Sequence, residues 1–128
     1  MPFVLYLIMN WTVEFHPVFE AEFDALPRQA KTAIAAKARL LEEFGPQLGR
    51  PHADTLEGSK HANMKELRCN AHDGVWRIAF AFDPDRKAVL LVGGDKSGGS
   101  ERRFYRQLIA KADKRFDEHL QRRIKGEK

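Results

Sequence analysis

Cysteine is nearly absent from this chain of 128 residues, with Cys69 alone. A single cysteine rules out an intrachain disulfide framework and a zinc site built on several thiolates. A reducing compartment, the cytoplasm, is therefore the expectation. Long apolar runs are also missing. Met1–Met9 (M-P-F-V-L-Y-L-I-M) is apolar but too short to span a bilayer. It has neither the basic region nor the small-residue cleavage site of a signal peptide. Residues 1–10 read as an apolar extension, with Met9 as an alternative start, ahead of one domain over residues 11–128. No repeat, low-complexity tract or interdomain linker divides that domain.

Acidic residues are outnumbered in one half only. Residues 1–63 carry 6 Lys+Arg against 8 Asp+Glu, whereas residues 64–128 carry 16 against 10. The basic surplus in the second half points to a polyanionic partner. With 43% apolar and 31% charged residues, the chain reads as a folded domain with a modest core, not a disordered one.

The chain is organised around Met64–Lys96, which reads as three consecutive strands. Leu67 and Cys69 alternate with Glu66 and Arg68. Trp76, Ile78, Phe80 and Phe82 alternate with Arg77, Ala79 and Ala81. This period of two predicts strands with one apolar and one wet face. Ala88–Val92 is continuously apolar, as in a strand covered on both faces. Turns are expected at Asn70–Gly74 and Asp83–Lys87.

Opposed residues of a hairpin point to the same face. A two-residue loop at His72-Asp73 sets Cys69 opposite Trp76, Leu67 opposite Ile78 and Arg68 opposite Arg77. A loop centred on Asp73-Gly74 sets Arg68 opposite Ala79. Either register puts both arginines on the polar face, where two like charges call for an anion, either Glu66 or a ligand phosphate. Cys69 falls on the apolar face and reads as a small buried residue.

Trp11–Phe15 alternates as a further strand. Pro17 opens a helix carrying Phe19, Phe23 and Leu26 on one face. Pro27 opens a second, with Ala30, Ile34, Ala38 and Leu41 as its buried face, ended by Gly45-Pro46. The two form a helical hairpin. Gln47–Asn63 reads as loop, with Pro51 and Gly58 against any long regular element. It holds His52 and His61, which read as plain loop histidines. Gly93–Gly99 is glycine-rich but lacks the spacing of a triphosphate-binding loop. A last helix runs from about Ser100 to about Lys125. Its apolar stripe is Phe104, Leu108, Ala112, Phe116, Leu120 and Ile124, widened by Tyr105 and Ile109. Its polar face is basic, and Arg102, Arg103 and Arg106 near its start are candidate phosphate contacts. His16, His72 and His119 have no metal-ligand spacing. The order strand-helix-helix-strand-strand-strand-helix is an α+β domain with a small twisted, mostly antiparallel sheet.

Three motifs in this order, K-E-L-R (65–68), W-R-I-A-F-A-F-D (76–83) and V-L-L-V-G-G-D-K-S-G (89–98) followed by F-Y-R-Q-L-I-A-K-A-D (104–113), resemble the RelE/ParE toxin superfamily of type II toxin–antitoxin modules. The likeness is greatest to its HigB-like, phage-related branch and covers roughly Trp11 to Leu120. It implies a compact RelE-like domain with a basic sheet face. It also implies an endoribonuclease that cleaves mRNA on the ribosome, without metal or cofactor, by attack of the 2′-hydroxyl. The implied partners are mRNA, the ribosome and an antitoxin of helix-turn-helix type, with no membrane. The ParE branch poisons DNA gyrase instead, so a non-enzymatic gyrase inhibitor, or an inactive relative that binds only its antitoxin, is the alternative.

Such chemistry needs charge stabilisation on the phosphoryl oxygens and proton transfer at the 2′- and 5′-oxygens. Arginine's planar fork suits the first task. The resemblance assigns Arg68, Arg77 and Lys96 as active-site cations and Tyr105 as an aromatic that stacks on a base or relays a proton. Lys65 joins Arg102, Arg103 and Arg106 as an RNA contact, although its parity places it on the apolar side of its strand. The competing structural readings are an arginine pair bridged by Glu66, a solvated Lys96 and a core Tyr105.

Overall fold

The computed structural model describes residues 11–71 and 74–126. Residues 1–10, 72–73 and 127–128 lie outside them, and with them the readings of the N-terminal extension and of a turn at His72-Asp73. The elements are β1 (Thr12–Phe15), α1 (Pro17–Asp24), α2 (Arg28–Phe44), a single 3-10 turn (Gly45–Gln47), β2 (Ala53–Thr55), β3 (Lys65–Ala71), β4 (Gly74–Phe82), β5 (Lys87–Asp95) and α3 (Glu101–Ile124). They build one five-stranded sheet in the order β1-β5-β4-β3-β2. β1 runs parallel to its neighbour, β5, and the other three pairings are antiparallel. The architecture is the expected α+β domain, with one strand more.

That strand is β2, inside the stretch read as loop. It pairs only Ala53–Thr55 with Lys65–Leu67. Three residues carry no usable periodicity; β2 forms because β3 offers it an edge. The β3–β4 register is that of the two-residue turn, with Arg68 opposite Arg77 and Cys69 opposite Trp76.

Both faces of the sheet are covered, which corrects the expectation of a wet face on β4. Phe19, Ile34, Leu41, Leu67, Cys69, Ile78, Phe80 and Leu90 pack on the face under α1 and α2. Met64, Ala79, Ala81, Val89, Leu91, Leu108, Ala112 and Phe116 pack on the face under α3. Ala79 and Ala81 are not solvent positions; their small side chains let α3 approach. A bulge at Ala79/Phe80 makes Val92 the partner of Ala79 and Leu90 the partner of Phe80. The extra residue, Leu91, shares the α3 face with Val92, and its carbonyl accepts a bond from Arg115 Nη1 at 2.8 Å. This is why the third run has no alternation.

The helix ends follow local chemistry. His16 caps α1, its Nδ1 accepting from the Val18 N–H at 3.1 Å, with Pro17 in the first turn. Gly45 ends α2 at φ +58°, and a Cβ there would lie 2.2 Å from the Trp11 ring nitrogen. Ser100 caps α3, its hydroxyl accepting from the Arg103 N–H. Arg115 ties α3 to α1 through a two-pronged bond to Glu22, both contacts 2.8 Å.

Candidate active site

The sheet's coverage decides where polar chemistry can sit. α3 crosses β4 and β5 and leaves the outer end of β3 uncovered, while β2 stops pairing at Leu67. Arg68, Asn70 and Arg77 line a hollow of about 440 Å³ there, with Lys37 from α2 and Arg50 and Pro51 from the loop before β2. The cross-strand arginine pair is thus real and opens to a groove, but its members differ. Arg68 is 29% exposed in its side chain. Arg77 is 4% exposed, a buried group and not the open surface cation the strand pattern suggested.

Each arginine has a carboxylate nearby, which answers the like-charge problem. Glu66 Oε1 lies 3.8 Å from Arg77 Nε, and Asp54 Oδ2 lies 4.0 Å from Arg68 Nη1. Neither distance is a hydrogen bond. Arg77 Nη1 donates to the Trp76 carbonyl at 3.0 Å and reaches Asn70 Oδ1 at 3.4 Å. Its Nε is buried without a partner, an unsatisfied donor of a kind folded proteins rarely keep. Asp54 bonds mainly to Arg50, at 2.7 Å to Nη2, and that bond holds its carboxyl below the usual carboxylate range.

Tyr105 and Lys96 adjoin this pair from the α3 side. The Tyr105 hydroxyl donates to Glu66 Oε1 at 2.8 Å. Burial and the Glu66 bond push the phenol up to about 12. Lys96 Nζ donates to Glu101 Oε1 at 2.7 Å, pulling that carboxyl down, and stands 5.7 Å from the Tyr105 ring centre. Glycine-93 and -94 are strand residues, not a phosphate cradle. A Cβ on Gly94 would lie 2.8 Å from Phe104 and one on Gly93 2.5 Å from Ile78. Gly93 makes room for Ile78 and Phe19 on the α1–α2 face, and Gly94 lets α3 sit tightly enough to bring Tyr105 over Glu66.

The structure does not gather all the predicted residues. Lys65 opposes Phe80 on the α2 side and donates to the Pro46 carbonyl at 3.3 Å, away from the arginine pair. Arg102, Arg103 and Arg106 are exposed on the first turns of α3 and do not line the groove. Farther along α3, Arg115 and Arg123 are spent on Glu22 and Asp85. His61 bonds to Asp117 at 2.8 Å and packs edge-on against Phe116, fastening its loop to α3. His52 Nδ1 sits 2.8 Å from Lys37 Nζ. Lys37, Arg50 and Asn70 were missed because no local pattern marks them; only the α2-to-β3 packing brings Lys37 to the groove. Cys69 is buried, and that burial pushes its thiol up to about 12, as fits a small core residue.

A second hollow, about 480 Å³, lies at the other end of the molecule between β1, the β4–β5 turn and the end of α3. Glu14, Asp83 and His119 approach there with potential ligand atoms within 4.8 Å. Asp83 already caps the Asp85 and Lys87 N–H groups and bonds His119 at 2.7 Å. Lys87, Arg122 and Arg123 line the same space, a poor setting for a cation.

Comparison with known proteins agrees with this geometry. Residues 21–117 match the family model described as phage derived protein Gp49-like. The chain belongs to that family, the HigB-like branch of the RelE-type toxins. It is 46% identical over 104 residues to the putative toxin HigB3 of Mycobacterium tuberculosis, covering 81% of this chain and 89% of the relative. It is 41% identical over 113 residues to the putative toxin HigB2 of the same organism, covering 88% of this chain but only 55% of that relative. A free-state mutant of the E. coli toxin RelE superposes with a TM-score of 0.58 at 12% identity, over 80% of this chain and 97% of that one. At that identity the likeness shows the shared RelE fold. Among the described residues no helix is long and apolar enough to cross a membrane.

Proposed function

We propose that this HigB-like chain is the toxin of a type II toxin–antitoxin module and acts in the cytoplasm as a ribosome-dependent mRNA endoribonuclease. The carrying observation is that Arg68 and Arg77, directly opposed across β3 and β4, share one groove with a further cation, Lys37, on its rim. In this reading Arg68 and Arg77 hold two oxygens of the scissile phosphate and stabilise the charge that builds there. The unpartnered Arg77 Nε is a donor that such a ligand would satisfy.

Glu66 and Tyr105 form the proton pair. The 2′-oxygen attacks phosphorus as its proton passes to Glu66. The bond to the 5′-oxygen breaks as Tyr105 donates its proton there. Glu66 then returns a proton to Tyr105 across their 2.8 Å contact, and a 2′,3′-cyclic phosphate leaves. A phenol pushed up to about 12 is protonated at neutral pH, as a proton donor must be. Lys96 adds positive charge beside Tyr105. The cognate antitoxin, expected to be of helix-turn-helix type, neutralises the protein.

A second reading, a gyrase inhibitor or an inactive relative that only binds its antitoxin, is favoured by one observation. Arg77 and Glu66 are both buried and Lys96 is already bonded to Glu101, so chemistry needs these groups to be released on the ribosome. Induced expression separates the readings. Translation arrest with cuts mapped by primer extension inside the ribosomal A site supports the enzyme, and the cuts disappear in Arg68→Ala. Filamentation and DNA damage with intact mRNA supports the alternative.

A further inference from the structure

Resting on the endoribonuclease reading, we infer that the RNA strand leaves the arginine pair along the free edge of β3, beneath α2, with Lys37 and Arg28 contacting its phosphates. β2 covers β3 only as far as Leu67. The Arg68 N–H is then taken by the His52 carbonyl at 2.8 Å. Along a strand, N–H and C=O of alternate residues face the same edge, so the backbone of Asn70 faces outward past the end of β2. Asn70 is also where two hollows meet. One is the arginine groove. The other, about 340 Å³, is lined by Arg28, Gln29, Thr32, Ala33, Asn70 and Ala71.

Together the two hollows hold five basic side chains, Arg28, Lys37, Arg50, Arg68 and Arg77, and no carboxylate among the described residues that line them. The start of α3, where sequence alone put the RNA contacts, borders neither. Lys37 is held at the lip by His52 Nδ1. One of its three N–H donors is used there, and two are left for an anion. Arg28 is exposed at the outer rim. Lys37 stands nine positions after Arg28 on α2, about 13.5 Å along the axis, more than one backbone phosphate apart. Small residues, Ala33 and Ala71, line the floor between them. Asp54 answers Arg50 and Arg68, and Glu66 answers Arg77, whereas Arg28 and Lys37 have no carboxylate partner among the described residues, and such a pair of unanswered cations suits a phosphate chain of any sequence. It does not select a base, so it supplies affinity and direction, not codon choice.

The test uses the full chain and a fluorescent, uncleavable 2′-O-methyl RNA hexamer, with anisotropy read across a salt series. The expected result for Arg28→Gln/Lys37→Gln is about tenfold weaker binding at low salt. The slope of log K against log salt should fall by about 1.4, or 0.7 for each lost phosphate contact. In ribosome-dependent cleavage the same variant should raise KM with kcat held. Unchanged affinity and slope alongside normal cleavage would overturn the track and leave the enzymatic reading standing. Loss of binding to an acidic decapeptide, with RNA affinity unchanged, would reassign this edge to a protein partner. A wild-type chain that neither cleaves nor binds RNA would remove the functional reading and the track with it.

Discussion

The Tyr105 hydroxyl donates to the Glu66 carboxylate at 2.8 Å, joining the first turns of α3 to the middle of the sheet. Glu66 in turn lies 3.8 Å from Arg77. One buried carboxylate therefore touches both a candidate proton donor and a candidate phosphate ligand. Most of the functional expectations can be tested by disturbing one member of this trio.

Tyr105 should titrate late. Burial first, and the Glu66 bond second, favour the neutral phenol and push it up to about 12. In the unfolded chain the phenol ionises near 10. Above that value the unfolded state loses a proton that the folded state keeps, so this group's contribution to stability falls as pH rises from about 10 to 12. The phenolate absorbance of wild type minus Tyr105→Phe should show a midpoint near 12. A midpoint near 10 would mean the Glu66 contact does not hold in solution.

The two arginines should separate in stability. Arg77→Ala strands a buried carboxylate beside it, at a cost of about 3 kcal/mol in urea unfolding. Arg68 is partly exposed, and Arg68→Ala should cost less than about 1 kcal/mol. On the proposed endoribonuclease reading, both should abolish cleavage. Equal, small stability losses would show that Arg77 is not embedded as described.

His16 supplies an acid-sensitive contribution. It is buried at the start of α1, and burial, with Arg122 next, lowers its pKa against the opposing pull of Glu118. The 3.2 Å contact to Glu118 favours charge, but with the ring 1% exposed the burial argument outweighs it. Below the ordinary histidine value of about 6.5 the unfolded chain takes up a proton that the folded chain refuses. Stability is thus present above that value and drains away as pH falls beneath it. His16→Asn keeps a capping side chain and removes the titration. The loss of stability between pH 7 and pH 5 should shrink in that variant.

Gly94 should tolerate no side chain without moving α3. Its Cβ would sit 2.8 Å from the Phe104 ring, and overpacking of this kind costs about 1–3 kcal/mol. Since Phe104 precedes Tyr105, Gly94→Ala should also weaken the Tyr105–Glu66 bond. The check is paired: a lower melting temperature, and a Tyr105 midpoint shifted back toward 10.

Much of this fold is legible in the residues. The strand alternation of Glu66–Cys69 and Trp76–Phe82 fixes which faces meet, and the odd-sum pairing rule yields the Arg68–Arg77 register. Pro17, Gly45 and Ser100 mark helix ends by their own backbone chemistry. What stays hidden is non-local. β2 exists only because β3 lends it an edge, and Ala79 and Ala81 read as wet until α3 is laid over them. The site divides the same way. Arg68, Arg77, Lys96 and Tyr105 follow from strand parity and family likeness and come together, whereas Lys65 and the Arg102–Arg106 group do not join them. Lys37 sits on an alanine-rich helix with nothing nearby in sequence to single it out, and only tertiary packing carries it to the groove.

The bulge at Ala79/Phe80 has a consequence for how the family can vary. Opposed residues share a face, so Gly94, paired with Arg77, stays turned toward α3 whether or not Leu91 is present. Removing Leu91 would leave a regular ladder and an unchanged direction for the C-terminal helix, while taking away one apolar side chain beneath it and the carbonyl that Arg115 holds. A one-residue deletion at this point should therefore loosen the seat of that helix without redirecting it, which makes it a place where relatives can differ in length.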